Sequence, residues 1–331
     1  MQVIEIDNCP STLTPGYKSY SYTALRRMFD NKTVSHVLDK DFSKKINANI
    51  CETLIPGGRK KITANIIKQK IVPAENGTTG KYIIKFAPDE FSLNNLSQIP
   101  ANEHLTMQIA RQIYKINTAE NALIFLYNGD VAYITKRFDF TDKGDKIKQE
   151  DFASLTYKSI ETHGDNYKYI GTYAGLGALF KTYCAAWQIE LCKFYKLIVF
   201  NYIFGNGDAH LKNFSIQQTK DGDYVLTPAY DLINTAIHNQ HNDFALDGGL
   251  FQKNFYSKTY KRKGYPCIAD FITFGKMIGI PEVFIEKINN EFLQENEEVN
   301  GLIERSFLSK KMKKKYLEVY QQRLKRFKTS I

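Results

Sequence analysis

Cysteine is scarce in this chain and unpaired in its spacing. Cys9, Cys51, Cys184, Cys192 and Cys267 are scattered over 331 residues with no C-x-x-C pair. A disulfide framework or a structural zinc site is therefore not expected, and a reducing compartment fits. Long apolar runs are also missing. The best candidate, "LIVFNYIF", follows Lys193 and Lys196 and falls well short of the roughly 18 residues that a membrane helix needs. The start, "MQVIEIDNCP", shows neither a basic n-region nor an apolar h-region, which reads as no secretory signal. A cytoplasmic protein without membrane contact is the expectation. No internal repeat, low-complexity tract, zinc-finger spacing or RNP-like interleaving of Gly and aromatics appears. Acidic residues are nearly absent from "SKKMKKKYLEVYQQRLKRFKTSI", where seven Lys, two Arg and one Glu give a net +8 of the chain's +10. Leu308, Met312, Leu317, Tyr320, Leu324 and Phe327 recur there near helical spacing, predicting a terminal helix with one packed face. A solvated basic face is preferred to an anion-binding patch for RNA, DNA or an acidic protein.

What is present supports a real core. Apolar residues make up 43%, with 22 Phe and 21 Tyr, so a folded core rather than disorder is expected. "SYSYTALRRMFDN" predicts a short helix over residues 19–31. "KITANIIKQKIV" and "KYIIKF" predict strands joined in a hairpin at "ENGTTG". "NEHLTMQIARQIYKI" places Leu105, Ile109 and Ile113 on one face of an amphipathic helix. "ALIFLYNGDVAYITKRF" predicts a hairpin turned at Asn128-Gly129-Asp130. After Asp139 the pattern becomes mostly helical over residues 150–204, ending in one long apolar helix, "FKTYCAAWQIELCKFYKLIVFNYIF". Strands first and helices second indicate α+β in two lobes with a junction near residue 139.

In "FNYIFGNGDAHLKNFSI", Phe200 to Ile216, an apolar run stops at Gly-Asn-Gly, four polar residues follow, and apolar chain resumes. Gly205 and Gly207 end the helix, because glycine enters left-handed backbone without a Cβ clash. Asp208 is expected to open an exposed loop. "FSIQQT" and "DYVLTPAY" predict strands about the turn "KDGD". A symmetric hairpin centred on Gly222 sets Asn213 and Asp231 opposite each other, about 5 Å apart. With Asp208 five residues before Asn213, three oxygen-bearing side chains converge. Carboxylate and amide oxygens suit Mg²⁺ when phosphate oxygens and waters fill its other positions. Protein kinases use such a set: a loop Asp accepts the hydroxyl proton, and an Asn five residues on and a later Asp hold the metal. D-x4-N alone is a weak signal, since Asp and Asn populate turns. The hairpin and the third carboxylate favour the kinase reading over turn chemistry.

A kinase also needs a strand Lys to grip phosphates. "KYIIKF" offers Lys85, and the following helix offers Glu103 to position it. "IPGGRKK" could cover phosphates, with Gly57 and Gly58 exposing backbone N–H groups and Arg59, Lys60 and Lys61 supplying charge. It could equally be an ordinary hairpin tip.

"GNGDAHLKNFSI" followed by "LTPAYDL" resembles the catalytic signature of the HipA-family toxin serine/threonine kinases. "NEHLTMQIAR", "YITKRFD" and "QEDFASL" stand in the same order as their counterparts there. The resemblance runs from about residue 50 to the end. It implies a bilobal protein-kinase-like α+β fold. Residues 1–50 would pack on the N-lobe, residues 51–138 would form the strand-rich N-lobe, and residues 139–331 the helical C-lobe with the basic terminal helix. It implies ATP and Mg²⁺ as cofactors and a protein acceptor, with aminoacyl-tRNA synthetases as the associated substrate class. Asp208 would accept the proton. His210, Leu211, Lys212 and Asn213 would line the nucleotide and metal site, and Tyr230 and Asp231 would supply the second metal position. Lys85 would hold phosphates, Pro56 to Lys61 would form the phosphate loop, Lys136, Arg137 and Phe138 the hinge beside adenine, and Asp139 would reach the ribose. Implied partners are a HipB-like antitoxin, DNA only through that antitoxin, and, in split systems, a separate protein equivalent to the family's N-terminal subdomain. Full-length members carry that subdomain of roughly a hundred residues, and this chain resembles the short form without it. Arg59 stands where the family has a Gln, and Leu54 where it autophosphorylates a Ser, so self-inactivation in the loop is not expected.

Two rivals stay open. D-x-H-x-x-N also resembles the loop of aminoglycoside and choline kinases, which act on small alcohols. The basic tail suggests an idle ATP-binding or nucleic-acid-binding module, against which the intact Asp208, Asn213 and Asp231 speak. His238, His241 and Asp243 mimic a metal triplet but fall in a loop, where adjacency is not assured. Trp187 is expected in the core, and Cys184 and Cys192 as inert packing in the same helix.

Overall fold

The computed structural model describes residues 4–39, 42, 61–75, 78–88, 95–141, 143–238 and 242–329. The chain divides into two compact units. One comprises Met1–Ile113, Thr118–Phe138 and Glu298–Lys314, the other Tyr114–Asn117, Asp139–Glu297 and Lys315–Ile331.

The first unit is built on a five-stranded sheet in the order β2-β1-β3-β5-β4. The run expected as one strand is two, β1 (Lys61–Ile67) and β2 (Lys70–Pro73), folded back on each other. The chain turns at Lys68 and Gln69, both left-handed with φ of 46° and 64°, the twist that a two-residue hairpin demands. β3 (Tyr82–Lys85) pairs with β1, not with β2, so "ENGTTG" joins strands that are not neighbours and the expected hairpin there is corrected. β4 (Asn121–Phe125) and β5 (Val131–Lys136) form the second hairpin as expected.

Alternation sends Ile62, Ala64, Tyr82, Ile84, Ile124 and Ile134 to one face, where Tyr20, Met28, Phe29 and Leu38 cover them. Two tyrosines stitch this layer: Tyr20 donates to the Leu123 carbonyl at 2.8 Å and Tyr82 to the Met28 carbonyl at 3.0 Å. Met28 and Phe29 belong to α1 (Tyr22–Phe29), capped by Ser21. Helix α2 (Ile99–Gln112) packs on β4 and β5. It is not amphipathic as expected, because every residue from Ile99 to Ala110 is buried. Its polar residues find partners inside: His104 bonds the Ser11 carbonyl through Nε2 at 2.9 Å, while its buried Nδ1 has no hydrogen-bond partner, and Gln108 bonds Asn121 at 2.9 Å.

The second unit is helical around a small three-stranded sheet of order β6-β7-β8. β6 (Gln149–Asp151) lies where helix was expected. The long apolar helix is also two, α3 (Tyr173–Tyr183) and α4 (Trp187–Ile203). Cys184 between them is extended, and the Asp223 carboxylate takes the Ala185 N–H at 2.9 Å. Trp187 starts α4 half-buried, under the Lys181 ammonium, rather than in the core. Phe152, Phe180, Phe194 and Phe214 form the aromatic centre. α5 (Ile268–Ile278) and α6 (Glu282–Asn290) pack outside α4. α7 (Glu297–Arg305) belongs to the first unit from Glu298 on, and the terminal α8 (Lys310–Phe327) passes from the first unit into the second at Lys315. It buries Met312, Tyr316, Tyr320, Leu324 and Phe327, with Leu317 only half-buried. Among the described residues no helix is long and apolar enough to cross a membrane.

Candidate active site

In the first unit, Lys85 points from β3 onto α2. Its ammonium meets the Glu103 carboxylate at 2.6 Å, and the two residues are 6% and 1% exposed. A cation and an anion taken out of water together hold each other in place, since either alone would carry a large desolvation penalty. The Tyr133 ring lies 5.2 Å from the ammonium. Lys61 is the cross-strand neighbour of Lys85, on the same face of the sheet. Pro56, Gly57, Gly58, Arg59 and Lys60 lie outside the described residues. Lys136 pairs with Asp30, and the Arg137 N–H donates to the Lys81 carbonyl at 2.9 Å. Phe138 ends the middle stretch of the first unit and Asp139 opens a stretch of the second, where its carbonyl accepts the Ile147 N–H at 2.9 Å.

In the second unit, α4 delivers the chain into the loop that carries Asp208. Gly205 has φ of 65°, and a Cβ there would lie 2.8 Å from Asn234 Oδ1 and 2.9 Å from Val319 Cγ1. A Cβ on Gly207 would lie 2.8 Å from the Asn242 carbonyl oxygen. No other residue fits either place without displacement. The loop is not exposed as expected: Asn206, Gly207, Ala209, His210 and Leu211 are buried and Asp208 half-buried. Buried backbone must find partners, and it does. The Gly207 N–H donates to Thr235 Oγ1 at 2.9 Å, and that hydroxyl donates to the Gly205 carbonyl at 3.1 Å. Asn206 Oδ1 accepts the Asp208 N–H at 3.2 Å.

Asp208 Oδ1 accepts the Tyr169 hydroxyl at 2.9 Å. Burial, then the Asp208 charge, holds the Tyr169 phenol well above its ordinary range, so it remains a donor. The His210 ring meets Tyr169 edge-on at 5.4 Å. Burial first, then the charge of Lys168, pushes His210 down to about 3, so the imidazole is neutral, and its buried Nδ1 has no hydrogen-bond partner. Lys212 binds Asp151 Oδ2 at 3.0 Å. Burial works to lower the Lys212 ammonium, but the hydrogen bond and charge of Asp151 prevail and raise it. The other oxygen of Asp151 caps the turn Phe152–Leu155 through the Ser154 N–H at 2.9 Å. Tyr230 donates to the Lys212 carbonyl at 2.9 Å and shares a 2.6 Å hydrogen bond with Ser215, so its hydroxyl braces the loop. Leu211 is fully buried.

Asn213 and Asp231 do meet, at 3.3 Å from Nδ2 to Oδ2. The expected register is off by one: Ile216 pairs with Leu226 and Gln218 with Tyr224, which centres the hairpin on Asp221 rather than Gly222. The two residues are joined instead by the 3-10 turn Leu211–Asn213 and by a left-handed Asp231 with φ of 55°. With its NH₂ donating to Asp231, the buried Asn213 Oδ1 has no hydrogen-bond partner. An amide oxygen without a donor, beside a carboxylate, is a donor set that suits a hard divalent cation. Among the described residues, no metal-binding cluster forms at the other suggested triplet. Asp243 pairs with Arg323 and Arg326, His238 is buried in a 3-10 turn, and His241 lies outside the described residues. Asp151 and Tyr169 escaped the sequence reading. The "QEDF" motif was a usable signal for the first; for the second only proximity in space reveals it.

A sheet that buries a Lys–Glu pair and a helical unit that carries the Asp208, Asn213 and Asp231 loop follow the plan of the protein-kinase-like class. Within that class, the profile of the HipA-like C-terminal domain matches residues 53–299, and the chain belongs to that family. A Haemophilus influenzae protein named "Putative kinase" is 26% identical over 259 residues, 74% of this chain and 74% of its own length. A Sinorhizobium fredii protein named "Putative kinase Y4dM" is 31% identical over 188 residues, 53% of this chain and 42% of its own length. The solved complex of the Shewanella oneidensis toxin–antitoxin proteins HipA and HipB with operator DNA contains a chain matching with a TM-score of 0.63 at 18% identity, over 86% of this chain and 70% of that one. That likeness concerns the fold.

Proposed function

We propose that this chain is an ATP- and Mg²⁺-dependent serine/threonine protein kinase of HipA toxin type. Its substrate class is an aminoacyl-tRNA synthetase or another translation protein in the cytoplasm, and a HipB-like antitoxin restrains it. The observation that carries the reading is the Asn213–Asp231 contact with its unpartnered amide oxygen. Asn213 and Asp231 hold Mg²⁺, which supplies charge neutralisation for the transferring phosphate. Asp208, held by Tyr169, takes the proton from the acceptor hydroxyl. Lys85, fixed by Glu103, grips phosphates, with Pro56 to Lys61 covering them. Lys136 to Phe138 border adenine, and Asp139 serves the ribose. Neutral His210, with Lys212 locked on Asp151 and Tyr230 on the Lys212 carbonyl, keeps the loop in shape. The antitoxin partner is supported by the Shewanella HipA having been solved with HipB and operator DNA.

The test is transfer from labelled ATP with Mg²⁺ in a cognate lysate, wild type against Asp208→Asn. A labelled protein band is expected with the wild type. Asp208→Asn should bind Mg·ATP yet lose at least about a hundredfold in kcat, the usual size of a general-base contribution. Label passing only to small alcohols, or unimpaired transfer by Asp208→Asn, would refute the reading.

A further inference from the structure

The second unit contains a pocket of about 150 Å³ that none of the residues assigned above lines. Its walls are Lys115, Ile116 and Asn117, then Lys193, Lys196 and Leu197 from α4, and Leu226, Thr227 and Ala229 from β8 (Tyr224–Leu226) and the chain after it. Three lysines therefore surround an apolar floor of Ile116, Leu197, Leu226 and Ala229, and among the described residues no carboxylate lines the space.

The cations are placed by a support behind the wall. Glu190 is 2% exposed. One of its oxygens holds the Lys193 ammonium at 2.7 Å, and the other accepts the Leu226 N–H at 2.9 Å. A single buried carboxylate thus fixes both a lysine and the strand that forms the floor. Glu291 holds Lys196 at 2.5 Å. An ammonium has three donors, so each lysine bound to one carboxylate oxygen keeps further N–H groups for an anion. On the opposite wall, the Ala229 N–H donates to the Asn117 carbonyl at 2.8 Å. Lys115 adopts a left-handed φ of 54°, a conformation that a lysine rarely takes and that clusters at functional sites.

We propose that this pocket is a binding site for a small amphipathic anion, one phosphate or carboxylate group on a compact apolar body. The lysines take the anionic group and Ile116, Leu197, Leu226 and Ala229 take the body. The volume corresponds to about five waters in liquid, which limits the ligand to roughly a single ring. The site adjoins the segment that reaches Asp231 two residues after Ala229, and the loop that follows α2 in the chain.

The test uses the full chain, saturated with Mg²⁺ and a non-hydrolysable ATP analogue so that the nucleotide site is filled. Phenyl phosphate is the probe, read by calorimetry and by ligand-observed NMR, with inorganic phosphate and benzyl alcohol as the two halves of its chemistry. Saturable binding of phenyl phosphate is expected, at least tenfold tighter than either half. Lys115→Glu reverses a charge on an exposed residue and should weaken binding at least tenfold while leaving the melting curve in place. Four results overturn the proposal: no saturable binding, loss of binding when the nucleotide analogue is present, equal binding of either half, or an affinity untouched by Lys115→Glu. None depends on whether the chain transfers phosphate.

Discussion

Tyr169 shows what one hydroxyl can decide. It donates to Asp208 at 2.9 Å from a 3-10 turn 39 positions earlier in the chain. A donor aimed at a carboxylate favours the ionised form, which is the form that accepts a proton. Under the kinase reading, Tyr169→Phe removes that donor and leaves the ring. The acidic limb of the kcat/KM profile should then move to higher pH, with a smaller loss at alkaline pH, where the carboxylate is ionised anyway. The measurement is a pH series of phosphate transfer. A uniform loss at every pH would assign Tyr169 to packing alone. Asn213 teaches the complementary lesson: its contact with Asp231 survives a one-residue error in register, because side-chain reach rather than strand pairing makes it.

Two elements carry separable predictions. β3 and α2 are joined by the Lys85–Glu103 pair. Lys85→Met should destabilise the protein by about 3–5 kcal/mol, because it leaves a buried carboxylate without its cation. The double variant Lys85→Met/Glu103→Leu should regain most of that stability in urea denaturation yet stay inactive in phosphate transfer. Recovery of activity in the double variant would show that the pair only supports the fold. The β1–β2 hairpin gives the second case. Lys68 and Gln69 hold left-handed backbone, which glycine and asparagine adopt at lower cost. Lys68→Asn/Gln69→Gly should therefore stabilise the first unit by about 1 kcal/mol, seen as a higher urea midpoint with unchanged slope. A lower midpoint would mean that the two side chains contribute contacts of their own.

Across the whole molecule, two buried histidines link stability to pH. Burial pushes His104 down to about 4 and His210 down to about 3, against an ordinary value of 6.5. Both are neutral in the folded chain. Below about pH 6.5 the unfolded chain binds protons that the folded chain refuses, so the unfolded state gains. Their contribution is fully present above that pH and is lost as pH falls toward about 4 and then about 3. Urea denaturation from pH 7.5 to 4.5 should show the decline. His104→Gln, which keeps a donor near the Ser11 carbonyl, should flatten part of it, and an unchanged slope would remove His104 from the account.

Local chemistry made the order of the candidate site readable in the sequence. Lys85 in an apolar strand, Glu103 in the next helix, and Asp208, Asn213 and Asp231 at fixed spacing are polar residues in places that otherwise call for apolar ones. The β4–β5 hairpin was readable because Asn128-Gly129-Asp130 states its own turn type. The errors all lie where distant residues decide. "KITANIIKQKIV" reads as one strand until pairing with β3 leaves β2 to fold back on the outside. α3 and α4 read as one helix because Cys184 and its alanines carry no break signal; the extended backbone there is met by Asp223, 38 positions away. The Asp208 loop reads as exposed because it is polar, yet Thr235 and Tyr169 satisfy it inside the unit. Asp151 reads as one more acid in a helical stretch until β6 sets it beside Lys212. The sequence by itself determined which groups have the chemistry, since side-chain type and short spacing are local properties. Only the tertiary structure decided which of them meet and which are shut from water, because burial and hydrogen-bond partners depend on segments the local pattern does not contain.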